Sequence, residues 1–315
     1  MRIAILDDYQ GVATGLADWP ATGAEILVLT EHVADRAELA ARLAGCQVVV
    51  AMRERTRFDA ELLDLLPDLE LLVTTGERNA AIDLKATAAR GITVCGTGYV
   101  NEPTSEHTWA LILAAARHLP TEFANMAGGG WQTTVGIGLA GRTLGLLGLG
   151  RLGSRVARIG QAFGMRTIAW SQNLTAERAA EHGVTAVTRE DLFAESDVLS
   201  VHLILSRRTK ELVGADDLAR MRPGALLVNT SRAAILQQAP LRAAVESGRI
   251  TAAIDVYDTE PLPADHWLRT VPHAVVTPHL GYVTDQQYEI FYRDAVQDVL
   301  AYQAGHPLRL IELPR

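Results

Sequence analysis

Thr143-Leu144-Gly145-Leu146-Leu147-Gly148-Leu149-Gly150-Arg151-Leu152-Gly153-Ser154-Arg155-Val156 is the stretch that decides the fold of this 315-residue chain. A G-x-G-x-x-G pattern standing alone is weak, because glycine-rich turns are common. Here an apolar run, residues 143–147, leads straight into Gly148, and Leu152, Val156, Ile159 and Phe163 recur at helical spacing after it. The order reads strand, phosphate loop, helix. Gly148 permits a tight turn, Gly150 lets the backbone approach a pyrophosphate, and Gly153 lets the helix pack against the strand. Arg151 and Leu152 open that helix, whose first amides and dipole favour an anion. The stretch therefore predicts a dinucleotide-binding α/β unit.

Working outward, apolar runs alternate with Ala/Leu-rich segments of helical period. Downstream, residues 166–170, 198–203, 225–229, 252–255 and 274–277 read as strands. Upstream, residues 3–6, 25–29, 47–51, 69–74 and 92–95 do the same, with helices over 34–43, 60–66 and 84–90 and no glycine signature. A breaker cluster at 96–104 suits a domain boundary and precedes a connecting helix over 105–116. The glycine-rich run 127–138 reads as irregular, and a final helix over 285–302 is followed by an apolar tail, 307–313. The prediction is an α/β fold of two Rossmann-like domains with doubly wound parallel sheets. Residues 101–284 form the dinucleotide-binding domain, inserted into a discontinuous substrate domain of residues 1–100 and 285–315.

Composition narrows the function classes. Hydrophobic residues make up 48% and charged residues 21%, which is ordinary for a folded globular chain. A formal net charge of -8 disfavours nucleic acid and anionic membranes as partners, since both need a basic face. No run approaches the roughly 18 apolar residues of a membrane-spanning helix. With only Cys46 and Cys95, neither a disulfide framework nor a cysteine metal site is suggested. The expectation is a cytoplasmic protein without a metal.

The strand after the phosphate loop should end in an acidic residue that holds the adenosine ribose, roughly 20 residues on. Ser171-Gln172-Asn173 stands there instead, so the cofactor is NAD or NADP, with a slight lean to NAD. Hydride chemistry at a carbonyl needs a proton donor and a group that grips the substrate carboxylate. Arg232, Glu260 and His279 each follow a predicted strand downstream of the loop, where open α/β sheets place their ligands. Singly they would be a surface arginine, a turn glutamate and a loop histidine. Their order behind one dinucleotide loop marks them as catalytic candidates.

These segments together resemble the D-isomer-specific 2-hydroxyacid dehydrogenase family, in its phosphoglycerate dehydrogenase-like and hydroxypyruvate reductase-like branch. The matching motifs are Thr75-Gly76 through Ile82-Asp83, Ser105-Glu106-His107, the glycine loop, Asn229-Thr230-Ser231-Arg232, Asp255 through Pro261, and Thr277-Pro278-His279. The resemblance implies reversible reduction of a 2-oxo acid to a D-2-hydroxy acid. His279 would be the general acid/base, Glu260 its orienting partner, and Arg232 the clamp on the carboxylate and carbonyl. Asp255 would sit near the nicotinamide carboxamide, with His202 and Thr230 lining the cofactor site. Gly76-Glu77-Arg78 would bind the substrate carboxylate through backbone amides. The resemblance also implies a homodimer built through the cofactor domain.

Departures from the family pattern fall beside these groups. Arg78 stands where glycine is frequent, and Arg53 is a second cation at a strand end; the pair suits either a phosphorylated or dicarboxylic substrate or two solvated surface positions. Ala233 and Ile204 replace a usual glycine and a usual proline, changing no reacting group. His107 reads as a capping or packing residue of its helix. A second reading is a dinucleotide-sensing, corepressor-like binding protein that retains the same three residues.

Overall fold

The computed structural model describes residues 1–313. The chain divides into two compact units, Met1–Val100 joined by the segment beginning at Val283, and Asn101–Tyr282.

The first unit is built on β1 (Arg2–Ile5), β2 (Glu25–Val28), β3 (Val48–Ala51), β4 (Leu71–Thr74) and β5 (Thr93–Gly96). All pair in parallel, in the spatial order β2-β1-β3-β4-β5. β3 and β4 are buried along their whole length, which is why they read as unbroken Val/Leu runs instead of alternating ones. The crossover helices α1 (Arg36–Arg42), α2 (Ala60–Asp64) and α3 (Leu84–Ala89) each start on an aspartate whose carboxylate accepts from a first-turn amide. A short tail crosses the open side of β5: Gly96 N–H donates to Arg309 O (3.0 Å) and Ile311 N–H to Val94 O (2.9 Å).

The second unit starts with α4 (Glu102–Ala116), which takes Pro103 in its first turn, and α5 (Leu119–Ala127). Its sheet comprises β6 (Thr143–Leu147), β7 (Arg166–Trp170), β8 (Thr185–Ala186), β9 (Val198–Val201), β10 (Ala225–Asn229), β11 (Ile250–Ile254) and β12 (Ala274–Val276). These seven strands are parallel in the order β12-β11-β10-β9-β6-β7-β8. The chain runs outward from β6 to β8, then returns to start again at β9. The order therefore reverses between β6 and β9, the place where doubly wound sheets bind ligands at their carboxyl ends. After β6 comes α6 (Arg151–Ala162), and α7 (Ala176–Ala180), α8 (Arg189–Glu195), α9 (Ala215–Arg220) and α10 (Gln238–Glu246) complete the crossovers. A last helix, α11 (Asp285–Gln303), belongs to the first unit, where Phe291, Tyr292, Ala295 and Val299 bury one face.

Two elements were not legible in the sequence. α5 has no buried residue, so no apolar stripe marks it. β8 is two residues long and pairs only with β7, too short to show a period. The strand expected over 198–203 stops at Val201, since the chain turns at His202.

Candidate active site

The glycine loop lies at the carboxyl end of β6. Gly148 has φ +106°, a left-handed conformation, and a Cβ there would stand 2.8 Å from His202 O. A Cβ at Gly150 would meet no atom within 4 Å. Gly150 is the N-cap of α6, and no side chain caps the helix start among the described residues. The first-turn amides, including those of Arg151 and Leu152, thus face open space, where an anion can take them up. These residues fit a dinucleotide pyrophosphate. At the end of β7, Ser171 is half-buried and Gln172 exposed, so no carboxylate occupies the usual ribose position.

Next across the sheet, His202 follows β9. Burial pushes its pKa down to about 4, so the imidazole is neutral near pH 7. Its Nε2 lies 2.9 Å from Ser200 Oγ. Arg232 follows β10 and is half-buried, its Nη1 donating to Ser231 O at 2.8 Å. Asn229, fully buried, shapes this turn by accepting from Ser231 N–H (3.0 Å) and donating to Arg232 O (3.0 Å). Thr230 lies in the same turn. Its hydroxyl meets Thr108 Oγ1 at 2.8 Å, tying the end of β10 to α4.

Beyond β11 and β12 the chain brings its acid and its imidazole together. His279 Nδ1 and Glu260 Oε2 are 2.6 Å apart, with both side chains about four-fifths covered. Glu260 is held in turn by Tyr257 N–H on Oε1 at 3.0 Å. Because Glu260 occupies Nδ1, the Nε2 of the same ring is the atom able to serve a substrate. His279 has φ +56°, an uncommon conformation for a residue with a Cβ, and the surroundings must enforce it.

Asp255 does much of that enforcing. Its carboxylate is 1% exposed and accepts from Leu280 N–H (2.8 Å), Gly281 N–H (2.9 Å) and Thr277 Oγ1 (2.6 Å). Burial raises its pKa, but the hydrogen bond and charge of His107, the Thr277 hydroxyl and the charge of His279 outweigh burial. The net shift is downward, and the group stays ionised. Tyr257 adds a second brace, its hydroxyl 2.8 Å from Thr277 O and 3.1 Å from Ile254 O. Burial, with Asp255 and Glu260 nearby, raises the Tyr257 pKa, so the phenol keeps its proton.

Five neighbouring strand ends thus carry, in spatial order, His279, Asp255 with Glu260, Arg232, His202 and the glycine loop. Sequence reading found each of them. It missed Tyr257 and Thr277 as braces, and it took His107 for a packing residue, whereas His107 reaches Thr277 and Asp255. The available signal was a histidine that follows Ser105-Glu106 in the first half of α4.

The remaining substrate candidates lie in the first unit. Arg53 has φ +52°, and its guanidinium stands over the Tyr99 ring at 5.2 Å. A Cβ at Gly76 would fall 1.8 Å from Arg53 Nη1, so only glycine leaves that side chain its place. Glu77 and Arg78 are exposed. Among the described residues, no group of three or more His, Cys, Asp or Glu could hold a metal ion.

A phosphate loop at the switch point, with a carboxylate-paired histidine on the same sheet edge, defines a nicotinamide-dependent oxidoreductase. A profile for the D-isomer specific 2-hydroxyacid dehydrogenase NAD binding domain matches residues 109–281. The glyoxylate reductase of Aeropyrum pernix is 38% identical over 260 residues, covering 79% of this chain and 78% of that protein. The D-3-phosphoglycerate dehydrogenase of Archaeoglobus fulgidus is 34% identical over 275 residues, covering 84% of this chain but 51% of that protein. The chain thus spans about half the length of that phosphoglycerate dehydrogenase. The crystal structure of a phosphoglycerate oxidoreductase from Vibrio cholerae superposes with a TM-score of 0.93 at 37% identity, covering 97% of this chain and 99% of that one. The chain belongs to the D-isomer-specific 2-hydroxyacid dehydrogenase family and is an NAD(P)-dependent oxidoreductase, with NAD favoured. The corepressor-like reading is not favoured, since these relatives are named as reductases and dehydrogenases.

Proposed function

We propose that this enzyme reduces a small 2-oxo acid to the D-2-hydroxy acid, with His279, Glu260 and Arg232 as its catalytic residues. The observation that carries the reading is the 2.6 Å contact between His279 Nδ1 and Glu260 Oε2, on the same sheet edge as the glycine loop. The nicotinamide, when bound, supplies the hydride to the carbonyl carbon. His279 Nε2 delivers the proton to the carbonyl oxygen, so that C=O becomes CH–OH with one hydride and one proton consumed. Glu260 holds the ring in orientation and stabilises its protonated form. Arg232 grips the substrate carboxylate with its planar fork of donors.

The cofactor set in this proposal is Gly148, Gly150, Arg151, Leu152 and Gly153 for the pyrophosphate, Ser171 for the ribose, and His202, Thr230 and Asp255 around the ring-binding end. Arg53 and the Gly76-Glu77-Arg78 loop supply the further substrate contacts, and their two cations favour an anionic group beyond the carboxylate. The enzyme works as a cytoplasmic homodimer. An apolar surface in the second unit supports the dimer: Phe123, Met126, Trp131 and Val135 are 67%, 61%, 72% and 92% exposed. No helix among the described residues is long and apolar enough to cross a membrane.

The test is NADH and NADPH oxidation across glyoxylate, hydroxypyruvate, its phosphate, pyruvate and 2-oxo dicarboxylates. His279→Gln should keep NADH binding and lose at least about a hundredfold in turnover. Wild-type turnover in that variant would move the proton donor elsewhere, and silence across the whole panel would end the enzymatic reading.

A further inference from the structure

His107 projects from α4, one residue before Thr108, which anchors β10. Its Nε2 lies 2.9 Å from Thr277 Oγ1 and 3.2 Å from Asp255 Oδ1. The Thr277 hydroxyl has one proton, and the 2.6 Å contact commits it to the Asp255 carboxylate. Thr277 Oγ1 can therefore only accept from His107, and Asp255 Oδ1 can only accept. Both fix the proton of His107 on Nε2. One imidazole N–H thus serves the two groups that set the course of the 277–281 loop.

We propose that His107 is a positioning residue for the reaction: it completes the shell of the buried Asp255 carboxylate and so holds the loop that presents His279. The inference rests on the assignment of His279 as proton donor. Asp255 is 1% exposed, and a buried carboxylate persists as an anion only while donors surround it. From the loop it receives Leu280 N–H, Gly281 N–H and Thr277 Oγ1, and α4 contributes His107. The charged and titratable groups acting on this region from β11 and the segment after it are Tyr257, Glu260 and Arg269, and from the β12 loop His279 and Tyr282. Take away the α4 donor, and burial drives Asp255 toward its neutral form. A neutral acid cannot accept at all its present contacts, and His279 loses a negative neighbour.

His107→Leu removes the donor at nearly constant bulk, while His107→Gln keeps an N–H near the Nε2 position. We expect His107→Leu to lower kcat about tenfold or more and His107→Gln to recover within about threefold of wild type. A second readout is independent of turnover. The Leu280 and Gly281 amides, which donate to Asp255, should exchange with solvent about tenfold faster or more in His107→Leu and near the wild-type rate in His107→Gln. Unchanged amide exchange with wild-type kcat in both variants overturns the proposal. So does equal loss in both, with lowered Tm, which would make His107 a packing residue only. Full turnover in His279→Gln would instead overturn the proton-donor assignment, while the two His107 variants would still report whether the donor governs the loop.

Discussion

Gly153 packs directly beneath the carbonyl of Gly148: a Cβ at residue 153 would stand 2.2 Å from that oxygen. The obstacle is backbone, so no side-chain rotation relieves it. Glycine to alanine inside a helix ordinarily gains up to about 1 kcal/mol. Gly153→Ala should reverse that sign and weaken NADH binding at least tenfold, because the loop itself has to shift. Isothermal titration with NADH, alongside a thermal melt, reads both effects. A variant that melts higher and binds normally would refute the packing argument.

Glu260→Gln retains the size of the partner of His279 and removes its charge. Turnover should fall about tenfold to a hundredfold, with NADH affinity preserved, because hydrogen bonds to a charged acceptor are roughly twice as strong as neutral ones. Kinetics at saturating cofactor decide it. Unaltered kcat would leave Glu260 as a turn residue.

His202 bears on acid stability. Its pKa, about 4 in the folded protein against an ordinary 6.5, means that below pH 6.5 the unfolded chain takes up a proton the folded one refuses. Stability from this group is complete above pH 6.5 and is lost as pH falls toward 4, by about 3 kcal/mol at most. Urea unfolding of His202→Gln at pH 7 and pH 4.5 should show a smaller loss than wild type. An equal loss would show that the ring is not held neutral.

Asp298 tilts the curve the opposite way over much of the same range. Burial lifts its pKa to about 7 even though Arg309 sits 3.0 Å away. From about pH 4 upward the unfolded chain gives up this proton and the folded one keeps it, so stability falls until pH 7. Asp298→Asn should therefore gain on wild type between pH 4 and pH 8, by about 4 kcal/mol at most. If the gap between the two proteins stays constant with pH, Asp298 is not a buried acid of this kind.

The proposed dimer is tested at exposed apolar residues of the second unit. Trp131→Glu with Val135→Glu should convert a dimer into a monomer in light scattering, because neither side chain contributes to the core of its own unit. A dimer that survives both changes would place the interface elsewhere.

How much of this was legible beforehand follows from how each feature is encoded. The buried parallel strands announced themselves as apolar runs, and β6, β7 and β10 begin and end where the residue pattern placed them. Gly148, Glu260 and His279 were readable because each sits a short way beyond such a strand. What could not be read was contact between distant segments. Nothing local to Thr108 says that it meets Thr230, 122 residues away, or that His107 reaches across 170 residues to Thr277. The short β8 and the solvent-facing α5 escaped for a simpler reason, since neither imposes a period on its residues.

The tail that crosses β5 carries one more consequence. β5 is one of the two border strands of the first sheet, and a bare border is a template on which a second chain can add its own strand. By engaging Val94 and Gly96, Arg309 and Ile311 occupy that template from within the same molecule. The arrangement is a safeguard against intermolecular strand addition, and it protects every copy in a concentrated solution from its neighbours.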